Sequence, residues 1–239
     1  MGRRITTGVA VGIVSMLMVI GATRRPTTDH FRRTVMPASL TALALVCSLK
    51  PSPAASSSEL MARQVLDELA THGVTGSVVR VVDHDVRPGV ELDMGDGDAW
   101  PGIRAQVMAA DILLVATPTW LGQHSSVCQR VLERLDAELS ETDDAGRPRT
   151  FGKVGIAAVV GNEDGAHHIS AVLFQALSDV GFTIPAQGVT YWNGEAMHGT
   201  DYQDLDQVPE ATAATTRTVA GNAAHLARLL AGENYPASS

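Results

Sequence analysis

Basic residues are scarce: 18 Lys and Arg stand against 26 Asp and Glu, a formal net charge of −8, and no Lys/Arg run follows the first 35 positions. A nucleic-acid groove needs clustered cations to neutralise phosphates, so that class is excluded. Cysteine is nearly missing as well. Cys47 and Cys128 lie far apart without C-x-x-C spacing, which leaves no thiolate metal centre or local redox pair; reduced, buried spacers are expected. No stretch reaches the ~20 apolar residues of a spanning helix, since the run from Gly8 to Ala22 counts 15. Four motifs are absent: G-x-x-x-x-G-K-[ST], G-x-G-x-x-G, the G-x-S-x-G elbow and an EF-hand loop. Their absence disfavours nucleoside triphosphates, the usual dinucleotide grip, a Ser hydrolase and calcium. Asp93, Asp96 and Asp98 therefore read as part of a solvated loop.

The run from Gly8 to Ala22 suits the apolar region of a secretory signal, but arginines flank it on both sides: Arg3, Arg4, Arg24, Arg25, Arg32 and Arg33. Residues 1–38 are set apart as an extension with two readings. Either the chain proper starts near Met36, just before the first strand, or the segment is a signal or anchor. Residues 39–239 are read as one domain, because the length suits a single good core.

From Leu40 onward, short aliphatic runs alternate with amphipathic stretches, the mark of a parallel sheet wrapped by helices. Five strands are predicted at Thr41–Cys47, Ser77–Val82, Asp111–Ala116, Val154–Val160 and roughly Phe182–Thr190. Helices between them carry Met61, Val65 and Leu69; Ile103 and Val107 behind Pro101; Val127, Val131, Leu135 and Leu139; and Ile169, Leu173 and Leu177. Ser56 and Glu59 have capping-box spacing, and a last helix is expected near Pro209–Leu230. The expected fold class is α/β, a doubly wound five-stranded parallel sheet in the order 2-1-3-4-5.

Such sheets bind ligands beyond the carboxyl ends of their strands, where the strand order reverses. The loop after the first strand, Ser48 to Ser58, leads into a helix start whose free N–H groups and partial positive charge suit a phosphate monoester. Lys50 adds a point charge there; the alternative is a plain capped helix behind a polar loop. After the third strand come Thr117, Pro118, Thr119, Trp120, Leu121, Gly122 and Gln123, with an indole at a strand end against which a flat ring could lie. After the fourth come Gly161, Asn162, Glu163, Asp164 and Gly165, a glycine-bracketed turn that lets backbone amides approach a ligand, with His167 or His168 facing it. Tyr191, Trp192 and Asn193 either cover the ring or simply pack a strand end.

These segments, T-P-T-W-L-G-Q and G-N-E-D-G above all, resemble the NADPH-dependent FMN reductase and flavodoxin-like family over about residues 41–195. The resemblance implies a flavodoxin-like fold holding FMN non-covalently. The phosphate would fall to Ser48, Ser56, Ser57 and Ser58, and the isoalloxazine to Pro118 through Gln123 and Gly161 through Gly165. It further implies reduction by NADPH or NADH, transfer to a small-molecule acceptor such as a flavin or quinone, and a homodimer or homotetramer. No stable membrane insertion of the folded domain is expected, and the location would be cytoplasmic, with export or anchoring through residues 1–35 as the alternative. Two other functions stand beside it: a non-catalytic or electron-carrier flavin protein, and a binder of a phosphorylated metabolite without flavin. One departure is visible, for the first loop carries Pro51 and Pro53 and has Cys47 where many relatives have glycine.

Overall fold

The computed structural model describes residues 39–195 and 198–237. The calls made on the extension, residues 1–38, lie outside the described residues.

Five parallel strands form the main sheet: β1 (Leu40–Val46), β2 (Val74–Arg80), β3 (Ile112–Trp120), β5 (Val154–Gly161) and β6 (Val189–Asn193), in the order β2-β1-β3-β5-β6. This is the expected 2-1-3-4-5 arrangement. A two-residue strand, β4 (Gln123–His124), pairs antiparallel with the end of β3.

Side chains alternate across each strand, and the two faces of the sheet build two cores. Ala42, Ala44 and Val46 of β1 pack toward helices α1 (Ser57–Thr71) and α5 (Glu210–Gly232). Leu43, Leu45 and Cys47 pack on the other face, toward α2 (Trp100–Ala109), α3 (Ser126–Leu135) and α4 (Ala166–Asp179). Met61, Val65 and Leu69, spaced by four, are fully buried on one side of α1, as are Ile169, Leu173 and Leu177 on α4. Each such side chain removes enough apolar surface to contribute about 1.5–3 kcal/mol. Ala220, Ala223, Ala224 and Ala227 let α5 lie close on the sheet.

Several sequence expectations are corrected. β2 begins three residues before Ser77, because an edge strand with an exposed middle, Thr75 to Ser77, lacks the apolar run that marks a buried one. The last strand is later than expected. Pro185, the left-handed Gln187 (φ 54°) and Gly188 interrupt the chain, so only Thr183 bridges to Val154 before β6 starts at Val189. α3 stops at Leu135 and passes into a 3-10 helix, Asp136–Ser140, which leaves Leu139 exposed rather than on the buried stripe.

Residues Asp83–Asp98 are not simply a solvated loop either. The Asp98 side chain is buried, as is that of Arg134, and they pair at 2.7 Å. Asp98 also accepts backbone N–H bonds from Arg87, Met94 and Trp100. Burial pushes its pKa up, but the Met94 N–H, Arg134 and the Trp100 and Arg87 N–H groups outweigh that and hold it at about 2.

Candidate functional site

An open cleft lies at the carboxyl ends of β1, β3 and β5, the place where open α/β sheets bind small molecules and cofactors. Much of its lining comes from the three expected segments. Ser48, Lys50, Ser56, Ser57 and Ser58 line one end; Pro118, Thr119 and Trp120 line the middle; Gly161 and Asn162 lie opposite.

The first loop is held from beneath. Ser48 Oγ accepts from Lys50 N–H at 3.2 Å, closing a tight turn. Arg80, at the end of β2, donates from Nη1 to Ala54 O at 2.7 Å and from Nε to Glu59 Oε2 at 2.8 Å. Asp83 accepts from both the N–H and the hydroxyl of Ser52, at 2.7 and 2.6 Å. The Ser56–Glu59 capping box is therefore half formed. Ser56 Oγ accepts from Glu59 N–H at 3.3 Å, but the Glu59 carboxylate turns to Arg63 and Arg80 instead of back to the cap. Burial raises the Glu59 pKa, yet Arg63 and Arg80 together bring it below the usual carboxylate range. Arg80 was not singled out in the sequence, since a lone basic residue at a strand end carries no motif.

With Ser56 Oγ accepting from Glu59 and Ser57 Oγ accepting from Gln203 N–H at 3.3 Å, both hydroxyl protons remain available for donation. The first N–H groups of α1 have no intrahelical acceptor. Lys50 adds positive charge, so this end is rich in donors for a ligand oxygen, the chemistry that suits a phosphate monoester.

The second segment is a strand end and hairpin rather than a loop. Thr117 and Pro118 continue the β3 ladder opposite Val159 and Val160, and Thr119 and Trp120 pair with His124 and Gln123. Leu121 and Gly122 form the two-residue turn with φ of 51° and 72°, positive at both positions as a type I′ hairpin requires. Pro118 lies within β3 rather than at its exit, and its missing N–H falls near the end of the ladder, where little pairing is lost. The hairpin leaves Trp120 half exposed on the cleft and Leu121 at 91% exposure. Thr119 Oγ1 is buried with no hydrogen-bond partner among the described residues.

Of the expected contacts, Leu121, Gly122, Gln123, Glu163, Asp164 and Gly165 do not line the cleft. They join the hairpin to the β5–α4 turn. Glu163 Oε1 accepts from Leu121 N–H at 2.8 Å, and His168 Nε2 meets Gln123 Oε1 at 3.0 Å. His167 pairs with the Tyr191 hydroxyl at 3.2 Å, so neither histidine reaches the cleft. Trp192 does line it, and Asp201, Tyr202 and Gln203 form a wall that sequence reading missed. The only signal for that wall was the aromatic run ahead of it, Tyr191-Trp192.

Residues 40–196 match the family described as NADPH-dependent FMN reductase. The chain belongs to that family. The donor-rich end fits the phosphate of a flavin mononucleotide, and the unpartnered Thr119 hydroxyl and the exposed indole of Trp120 fit the rest of it. A Streptomyces davaonensis protein, 8-demethyl-8-aminoriboflavin-5'-phosphate synthase, is 30% identical over 207 residues, covering 82% of this chain and 80% of its own. The crystal structure of RosB with its bound intermediate 8-demethyl-8-formylriboflavin-5'-phosphate superposes with a TM-score of 0.75 at 30% identity, over 82% of each chain. A Mycobacterium bovis protein named divalent metal cation transporter MntH is 37% identical over 169 residues. That match takes in 69% of this chain but spans only 25% of the M. bovis protein. Among the described residues of this FMN reductase-family chain, no helix is long and apolar enough to cross a membrane.

Removing the Arg80 guanidinium is expected to weaken phosphate recognition more than stability. Arg63 still partners Glu59 in Arg80→Met, while Ala54 O loses its donor and Lys50 O keeps only the Ser48 hydroxyl. Titration with FMN and riboflavin should show the preference for the phosphorylated flavin falling about tenfold, in line with the ~1.5 kcal/mol of a lost charge-assisted bond. An unchanged FMN-to-riboflavin ratio would show that Arg80 does not shape the loop.

Proposed function

We propose that this protein uses NADPH or NADH to reduce FMN held in the cleft, and passes the electrons to a small acceptor such as a flavin or quinone. The observation that carries the reading is the convergence of three strand-end segments on one cleft with donors at one end and an exposed indole beside it. In this reading Ser48, Lys50, Ser56, Ser57 and Ser58 hold the phosphate, Thr119 offers its free hydroxyl, and Trp120, Gly161 and Asn162 border the ring. Leu121, Gly122, Gln123, Glu163, Asp164 and Gly165 fix the position of those residues through the hairpin contacts. Bound flavin supplies hydride and electron transfer at its ring; the protein's part is to place, orient and shield it. No side chain is required as an obligatory acid or base, and none is assigned.

The oligomer belongs to the proposal too. Leu121 at the hairpin tip and the half-exposed Trp120 make an apolar projection beside the cleft, which supports a homodimer or homotetramer sharing that wall. A cytoplasmic location agrees with a reduced nicotinamide donor and two free cysteines.

The test is an absorption spectrum of the purified, FMN-reconstituted protein, followed by anaerobic NADPH or NADH. A flavin spectrum that bleaches rapidly on addition is expected. Bleaching only with an added reductase points to a carrier, and a colourless protein refutes flavin binding.

A second reading is favoured by the 30% identity to the S. davaonensis synthase over most of both chains: the flavin phosphate would be a substrate altered during turnover. Mass spectrometry of the flavin recovered after turnover separates the two. Unchanged FMN supports the cofactor reading, and a flavin of altered mass supports the other.

A further inference from the structure

The wall formed by Asp201, Tyr202 and Gln203 lies beyond residues 40–196, the segment that matches the family. It is a 3-10 turn (Tyr202–Asp204), and it is held on three sides. The Tyr202 hydroxyl donates to Gln64 Oε1 on α1 at 2.7 Å, and its ring packs on Trp192 at 5.4 Å between centroids. Tyr202 itself is buried. Asp201 Oδ1 accepts from Asn162 Nδ2 at 3.2 Å, which ties the turn to the end of β5. Gln203 N–H reaches Ser57 Oγ, which ties it to the start of α1.

These ties place Gln203 between the donor-rich end of the cleft and its aromatic side. The Gln203 Oε1 atom is shielded from solvent and has no hydrogen-bond partner among the described residues. A buried acceptor left unpaired is destabilising, so a hydroxyl donor supplied by a ligand would relieve it. Asp201 spends one carboxylate oxygen on Asn162, and the other adds acceptor character. The cleft is therefore asymmetric. Hydroxyls, amides and Lys50 offer donors at the α1 end, while the Asp201–Gln203 wall adds two acceptors, the Asp201 carboxylate and Gln203 Oε1. A phosphate has no proton to give such a wall at neutral pH; a hydroxylated chain does.

We propose that the turn Asp201–Gln203 recognises the polyol chain linking a flavin ring to its phosphate, with Gln203 Oε1 accepting from one of its hydroxyls. Gln203 is thus a specificity-determining residue for the hydroxylated linker, and Tyr202 is a positioning residue that holds it. The inference rests on the FMN reading above and adds the part of the flavin that this wall selects.

The test compares FMN with a flavin whose ribityl phosphate is replaced by an unhydroxylated 5-phosphopentyl chain. Affinities are read by quenching of flavin fluorescence in the wild-type apoprotein, Gln203→Met and Tyr202→Phe. For Gln203→Met, FMN is expected to bind about three- to tenfold more weakly, the worth of one neutral hydrogen bond. The phosphopentyl flavin should change less than twofold. Tyr202→Phe should show the same selectivity at smaller amplitude. Equal losses for both flavins, or none for FMN, would overturn the assignment while leaving FMN binding intact. If the wild-type apoprotein quenches neither flavin, the FMN reading itself falls and this inference with it.

Discussion

Gly165→Ala should lower stability by about 2–4 kcal/mol and weaken flavin binding at least tenfold. Gly165 has φ +152°, a conformation that side chains rarely adopt, and an added Cβ would lie 2.8 Å from Gly122 Cα and 2.9 Å from Thr119 Cγ2. The first of these is backbone, which cannot rotate away. The β5–α4 turn and the hairpin would be forced apart, moving Thr119 and Trp120 out of the cleft wall. Gly102 in α2 is the control. Nothing lies within 4 Å of its added Cβ, so Gly102→Ala should leave binding unchanged and raise stability by about 0.5–1 kcal/mol. Denaturant unfolding and FMN titration of both variants check this. Wild-type affinity in a folded Gly165→Ala protein would separate the hairpin from the site.

Asp98→Ala should cost about 3–5 kcal/mol of stability, because it strands a buried guanidinium. The Arg134 side chain would keep its bonds to Arg87 O and Glu91 O but lose its only carboxylate partner among the described residues, and the N–H groups of Arg87, Met94 and Trp100 would lose their acceptor. The guanidinium also lies 5.7 Å from the Trp100 ring centroid, so the disturbance reaches the buried end of α2. The same carboxylate sets an acid limit. Its folded pKa of about 2 lies below the ordinary 3.8, so its contribution is complete above the unfolded value and fades as pH falls through the folded one. That contribution amounts to about 2 kcal/mol. The stability gap between wild type and Asp98→Ala should narrow by about 2 kcal/mol from pH 6 down to pH 2, the remainder persisting at the acid end. Parallel curves at all pH values would contradict the carboxylate's role.

How much of this could be read from the sequence differs by element. The central strands were legible because β1, β3 and β5 are buried on both faces and so read as continuous apolar runs. The edge strand β2 was harder to bound, since half of it faces water, and β6 was displaced by the Pro185–Gly188 interruption. The donor-rich end of the cleft was legible through Ser56 and the helix start, whose capping chemistry is local. Arg80, Asp98 and the Tyr202 turn were not. Each works through partners 21 to 138 positions away in the chain, such as Glu59, Arg134 and Gln64, and a single sequence carries no trace of such pairings. The hairpin was misread as a loop because Pro118 and Gly122 are turn signals wherever they fall; only the register with Val160 shows that the strand runs on through Pro118.

Titrating the apoprotein with FMN, while following flavin fluorescence, asks most directly whether the cleft is a flavin-phosphate site. Quenching that saturates at one FMN per chain is expected, with riboflavin bound more weakly and Trp120→Leu reducing the quench. Flavin fluorescence that stays unchanged up to high micromolar protein, or equal binding of riboflavin and FMN, would contradict a phosphate held at the start of α1 beside an indole.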